Sequence, residues 1–449
     1  MRIAIDGFNL GLKQGTGLAT YARELSYVLN DAGHDVFPIY GLTNLKNDDE
    51  LRWPSFIQRL ANHGEAGSDD YRKWLARTVL YAPHMLFQTR GVGLTPVELS
   101  EHVESAPIGF KLPAFKGIYN CPGVYRASQA YTRFVQRPLR VNIPEAGIDA
   151  LHLTCPLPIS MPGVKTVMTA HDIIPLVLPH STDMNLKHYR RLMATALGNS
   201  DMIFCISEKT RDDLRQWFGI PDSRMHLTYQ AVNIPQKYRQ LQEAEVSVFL
   251  ENNFGLDYKG YFLFFGAIEP KKNVSRVIDA MRMARTDLPL VIAGKDGWLY
   301  DDVHERLAQA AKLAKAVKKE GEEKSRPEKI QRVEYLPFAQ LMYLVKGARA
   351  LVFPSLYEGF GLPVLEAMQL GCPVITANTT SLREVAGDAA LTVDPMDTDA
   401  IKTAIERLSV DDGLCQELVE KGYQQAEKFS PGKHAERLAE GYAKAGLRW

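Results

Sequence analysis

Two glutamates eight residues apart, Glu358 and Glu366, stand inside the segment FPSLYEGFGLPVLEAM. The apolar run from Ala350 to Pro354 before them predicts a buried parallel strand. Gly359, Phe360 and Gly361 predict a tight loop, and Pro363 suits the first turn of a helix, where its missing N–H costs nothing. Glu358 then lies at the carboxyl end of a strand and Glu366 a little over one turn into a helix. That crevice is where open α/β sheets bind ligands. The helix start offers unpaired N–H groups and partial positive charge to an anion. One carboxylate can accept from sugar hydroxyls, and the other can hold a vicinal diol. Two solvated acids on a surface loop are the plainer alternative.

The rest of the chain repeats that grammar. Arg2 to Asp6 predicts a strand, FNLGLKQGTG a glycine loop, and the residues from about Leu18 a helix with Leu18, Tyr21, Ala22, Leu25 and Leu29 on one face. IDALHLT, KTVMTAHDIIP, SDMIFCISEKTRDDL and MHLTYQAVN each read as a strand entering a loop or helix. Near Pro235 to Tyr258 the pattern fades into a polar connector. A second series then runs through YFLFFGAIE, LVIAGK, VEYLP, ALVFPS, PVITA and ALTVD. Ser430-Pro431 opens a last helix, serine as cap and proline at its first position. The expected organisation is two domains, 1–237 and 238–429, with a terminal helix over 430–449. A chain of 449 residues is long enough for both cores.

Charge narrows little, because 53 basic and 53 acidic residues cancel. Five scattered cysteines lack metal-ligand spacing and suit a reducing compartment. No apolar run is long enough to span a bilayer. The expectation is a cytoplasmic protein, peripheral at most to the inner face of the membrane. From Ser105 to Pro144 there is no acid. Lys111, Lys116, Arg126, Arg133, Arg137 and Arg140 alternate with Phe110, Phe115, Tyr119, Tyr125, Tyr131 and Phe134. Basic and aromatic residues together suit an anionic lipid surface. Nucleic acid would use the same residues, and a solvated basic face over ordinary core aromatics is the third reading.

Gly15-Thr16-Gly17 lacks the third glycine of a dinucleotide fingerprint, and no acid follows at the usual distance. A nicotinamide site is therefore not expected. His171-Asp172 ends a strand, with Asp172 placed to cap a helical turn after it. Lys271 and Lys272 follow the strand FLFFGAIE, where ammonium groups can neutralise a departing diphosphate.

The E-x7-E segment resembles the signature of retaining glycosyltransferases of family 4. FGAIEPKKNVSRVIDAM, LPLVIAGKDGWLY, the stretch from GARALVFPS to ALTVDP and FSPGKHAERLAEGYAKAGL resemble family segments in family order. The resemblance implies the GT-B fold, in which two Rossmann-like doubly wound α/β domains face each other across a cleft and the terminal helix crosses back to the first. It implies a nucleotide-sugar substrate, no metal or other cofactor, and a glycan or lipid-linked glycan acceptor, not nucleic acid. It implies that His171, Lys272 and Glu358 carry catalysis. Gly17, Lys271, the Phe360-Gly361-Leu362 turn and Glu366 would bind the donor. The family arginine at the end of the first strand of the second domain is replaced by Ala267, with Lys271 or Arg276 as substitutes. HDIIPLVLP and GAIEPKKN resemble bacterial mannosyl- and deoxyhexosyltransferases of surface polysaccharides such as lipopolysaccharide. GDP-mannose is therefore the first expected donor and a UDP-sugar the second. A 2-epimerase of GT-B-like fold and an inactive partner protein remain as alternatives.

Overall fold

The short apolar runs become two parallel sheets, and each puts the end of its central strands toward the other. In the computed structural model, residues 1–12, 17–43, 45, 49–62, 91–99, 102–103, 112–143, 147–182, 184–297, 302–309, 329–334 and 336–449 are described. The first sheet has eight strands. Their spatial order is Met225–Leu227, Met202–Cys205, Lys165–Ala170, Ala150–Leu153, Arg2–Asp6, Asp35–Tyr40, Ile118–Asn120 and Thr95–Val97. Only the last pair is antiparallel. Ala150–Leu153 and Met202–Cys205 are buried at every position, as strands covered on both faces must be. The order of the chain reverses between Arg2–Asp6 and Ala150–Leu153. At that switch point the Asp6 carboxylate accepts the Thr154 N–H. Burial pushes the Asp6 carboxyl up to about 6, against the pull of the Thr154 hydrogen bonds.

The second sheet has six parallel strands in the order Ile330–Val333, Leu290–Ala293, Phe262–Phe265, Ala350–Phe353, Val374–Ala377 and Leu391–Val393. Its switch point lies between Phe262–Phe265 and Ala350–Phe353. The loops carrying Lys271–Lys272 and Glu358 leave these two strands, which is why residues 86 positions apart meet.

The chain crosses between domains twice, and the crossings touch. Val232 N–H donates to the Phe429 carbonyl at 3.4 Å. Gln369 pins the first crossing from the second domain, donating to Val232 O at 2.8 Å and accepting from Ile234 N–H at 3.2 Å. The polar connector is more ordered than its composition predicts. Gln236–Arg239 and Glu243–Phe254 are helices, and Val246 and Leu250 of the second are buried in the second domain's core. The final helix, Pro431–Lys444, returns to the first domain. Its Leu438 and Tyr442 pack with Ile3, Ile5 and Tyr21, and the Tyr442 hydroxyl lies 2.5 Å from His152 Nδ1.

Most aromatics of the basic stretch turn inward. Tyr125 is fully buried, and Phe115, Tyr119 and Tyr131 pack partly buried against the first domain's cores. Phe134 faces water at 82% exposure, as do Lys116, Arg133, Arg137 and Arg140. Phe110 and Lys111 lie outside the described residues. Alternation in the sequence had mixed an inward face with an outward one. Among the described residues, no helix is long and apolar enough to cross a membrane.

Candidate active site

The strand Ala350–Phe353 delivers Glu358 into the gap between the domains, and the 3-10 turn Pro270–Lys272 delivers the lysines beside it. Lys272 Nζ lies 2.6 Å from Glu358 Oε1 and rests over the Phe353 ring at 4.8 Å. The two loops are strapped together. Leu356 N–H donates to Lys271 O at 2.7 Å, and Asn273 Nδ2 donates to Pro354 O at 3.0 Å. Burial alone would raise the Glu358 carboxyl. The Lys272 and Lys271 charges outweigh it and hold the group below the ordinary glutamate value. Lys271 is 3.5 Å from Glu269. Burial opposes its charge, but Glu358, Asp172 and Glu269 together raise it. Lys271 is thus a second cation in the field of Glu358 and Asp172. The Arg276 guanidinium donates to Asn273 Oδ1 at 2.9 Å.

The loop after Glu358 is shaped by two tight approaches. Gly361 has φ 118°, and the Ser381 hydroxyl lies 2.8 Å and 2.9 Å from the carbonyls of Glu358 and Phe360. The N–H groups of Phe360 and Gly361 have no acceptor among the described residues. The Phe360 side chain points away from the cleft. It is 3% exposed and closes an aromatic triangle with Tyr229 and Phe429, where the crossings meet. Any donor contact by Phe360 is therefore through its backbone. Leu362 opens the helix Leu362–Gln369 with Pro363 in its first turn, as the sequence predicts.

Glu366 sits on that helix, and its side chain has no hydrogen-bond or ionic partner among the described residues. Burial pushes its carboxyl up to about 7. A group accepting two hydroxyls prefers to be charged, so ligand binding would lower that value. If Glu366 holds a ribose diol, as the resemblance implies, affinity is expected to be fully present above about pH 7 and to weaken as pH falls through 7. Binding near pH 6.5 is expected to release a proton in calorimetry across buffers of different ionisation heat. Glu366→Gln is expected to abolish that release.

From the first domain, His171 faces this loop. Its Nε2 lies 2.9 Å from the Thr154 carbonyl, which can only accept, so Nε2 carries the hydrogen. Its Nδ1 then accepts from Gln230 Nε2 at 2.9 Å. Burial pushes the imidazole down to about 4, against the Thr154 bond, and it is neutral at physiological pH. The Tyr21 ring packs edge-on at 4.7 Å. Neither ring nitrogen is spare in this state, so a donor hydroxyl reaching His171 must displace Gln230 or Thr154. Asp172 caps the next turn, accepting from Ile174 N–H at 3.0 Å. Burial raises its carboxyl, with Lys271 pulling the other way.

Gly17 begins the helix Gly17–Asp31 at an exposed position; Gly15 and Thr16 lie outside the described residues. The structure brings together Lys271, Lys272, Glu358 and the His171 loop. Gln230, Thr210 and Ser381, which hold the last two elements, carry no mark in the sequence. Each is separated from its partner by 21 or more positions, so no local spacing reveals it.

Residues 251–425 match the family described as glycosyl transferases group 1, and residues 101–235 match glycosyltransferase family 4. The O-antigen chain mannosyltransferase B of Escherichia coli is 34% identical over 272 residues, which are 59% of this chain and 67% of that protein. A serotype-specific mannosyltransferase WbdA of Escherichia coli is 29% identical over 287 residues, 62% of this chain. The match spans only 33% of that longer relative. Among solved structures, Anabaena Alr3699/HepE in complex with UDP and glucose aligns with a TM-score of 0.62 at 13% identity, covering 99% of both chains. The likeness at that identity is one of fold. With two facing doubly wound domains and the E-x7-E crevice at the second switch point, the chain belongs to the family 4 glycosyltransferases of the GT-B fold.

Proposed function

We propose that the protein is a retaining hexosyltransferase that moves mannose from GDP-mannose to a glycan or lipid-linked glycan in surface polysaccharide assembly. The observation that carries this reading is the group of Lys271, Lys272 and Glu358 at the second switch point, opposite His171. The carboxyl of Glu366, buried and without a side-chain partner, would hold the ribose diol. The N–H groups of Phe360 and Gly361, with Glu358, would hold sugar hydroxyls. Lys272, helped by Lys271, would take the charge that develops on the leaving diphosphate. The sugar–phosphate bond breaks as the acceptor oxygen bonds to the same face of the sugar. The acceptor's proton passes to the departing phosphate. The glutamates bind donor and do not act as a hydrolase pair. His171 would form the wall against which the sugar is oriented, and Gly17 would approach the diphosphate from the first domain.

The mannosyltransferases similar to this chain support the sugar, and no comparison fixes the base. The inactive-partner alternative rested on Ala267. Lys271 beside Glu269, in the field of Glu358 and Asp172, offers a cation in its place and favours the active reading. Lipid-linked acceptors would bring the exposed Arg133, Phe134, Arg137 and Arg140 near anionic lipid at the cytoplasmic face. The test is transfer of labelled mannose from GDP-mannose to a lipid-linked oligosaccharide, with the anomeric configuration read by NMR. Retained configuration and equal rates with and without EDTA are expected. Inverted product would remove the mechanism, and conversion of the nucleotide-sugar to its 2-epimer with no acceptor present would return the epimerase class.

A further inference from the structure

The helix Glu208–Phe218 of the first domain is capped by the second domain. Ser207 is its N-cap, and its hydroxyl accepts from Thr210 N–H at 3.0 Å. The next free donors are taken across the gap. Glu384 accepts Glu208 N–H at 2.9 Å with one oxygen and Lys209 N–H at 3.2 Å with the other. A carboxylate at a helix start gains from the free N–H groups and from the helix dipole together. One turn along, the buried Asp213 carboxylate accepts from Lys209 and from the Tyr357 hydroxyl of the second domain. The Lys209 ammonium lies 5.5 Å from the centre of the Tyr357 ring. Tyr357 is 4% exposed and precedes Glu358 in the chain. The same helix reaches the other half of the site, since Thr210 Oγ1 donates to the His171 carbonyl at 2.9 Å. Ser381, three residues before Glu384, holds the carbonyls of Glu358 and Phe360.

We propose that Glu384, Tyr357 and Asp213 are positioning residues, a clasp that fixes the register of the Glu358 loop against His171 when the domains close. The clasp touches no reacting atom and rests on the proposed transfer reaction for its catalytic meaning. It uses groups that water can satisfy when the domains part, so it specifies the closed register without preventing opening. A charge-assisted hydrogen bond misplaced at closure is expected to cost about tenfold or more in turnover.

The test uses the full chain and two kinds of variant. Hydrogen exchange of the Glu208 and Lys209 amides reads the clasp without any substrate. In wild type they are expected to be protected, and in Glu384→Gln to exchange about tenfold faster. Turnover with GDP-mannose is expected to fall about tenfold in Glu384→Gln and in Tyr357→Phe. Donor KM and melting temperature should stay near wild type, which a merely structural role would not produce. Unprotected amides in wild type, or wild-type turnover in both variants, would overturn the clasp. If wild type transfers no sugar, the proposed reaction has failed, and the exchange measurement alone decides the clasp. Should Glu384→Gln fail to fold, Tyr357→Phe carries the turnover test.

Discussion

Glu358→Ala is expected to lower sugar transfer by at least about a hundredfold while the protein stays folded. Glu358 is 8% exposed and pairs with Lys272 at 2.6 Å. The substitution removes a sugar-hydroxyl acceptor and frees Lys272 from its fixed place. It also leaves a mostly buried ammonium without its partner, and breaking such a pair costs roughly 3–5 kcal/mol. A lower melting temperature by calorimetry is therefore part of the expected result. Glu358→Gln keeps the shape and removes the charge, so it should separate the two effects: a smaller stability loss with a similar loss of transfer. An alanine variant with full transfer would sink the assignment of this residue.

Gly359→Ala is expected to be nearly as damaging for a different reason. A Cβ at this position would lie 2.4 Å from the His171 carbonyl oxygen and 3.1 Å from Asp172 Cβ. Both atoms belong to the first domain, and Gly359 belongs to the second. The clash is relieved by parting the domains, so folding need not suffer. Transfer is expected to drop at least about a hundredfold because orientation across the cleft is lost. Nucleotide binding, which the proposed site seats mostly on the second domain, should persist. Calorimetric titration with GDP beside a transfer assay checks both. Wild-type transfer in this variant would mean that the closed arrangement of the two domains is not the reacting one.

These two residues also mark what the sequence could and could not reveal. Strand, glycine turn and proline-led helix are local signals, and they placed Glu358 and Glu366 on the right elements. The return of the last helix was implied only by family likeness; its cause is tertiary, the burial of Leu438 and Tyr442 on the first domain. The steric demand on Gly359 was illegible, because it comes from a backbone oxygen in the other domain. The pairing of His171 with Gln230 hides for a similar reason, since its partners are distant in the chain. In the basic stretch, charge and aromatic content carry no sign of which face a side chain takes. Tyr125 is fully buried, whereas Phe134 nine residues later is in water.

The measurement that bears most directly on the central claim is thermal unfolding of the whole protein with GDP-mannose, UDP-glucose, UDP-N-acetylglucosamine, GDP, UDP and ADP. A ligand that binds only the folded chain adds about 2.7 kcal/mol of stability at a hundred times its Kd. A clear rise in Tm with GDP-mannose and GDP, lost in Glu366→Ala, is the predicted result. A rise with the uridine nucleotides alone would replace the donor, and no rise with any of them would contradict the account of this crevice as a sugar-nucleotide site.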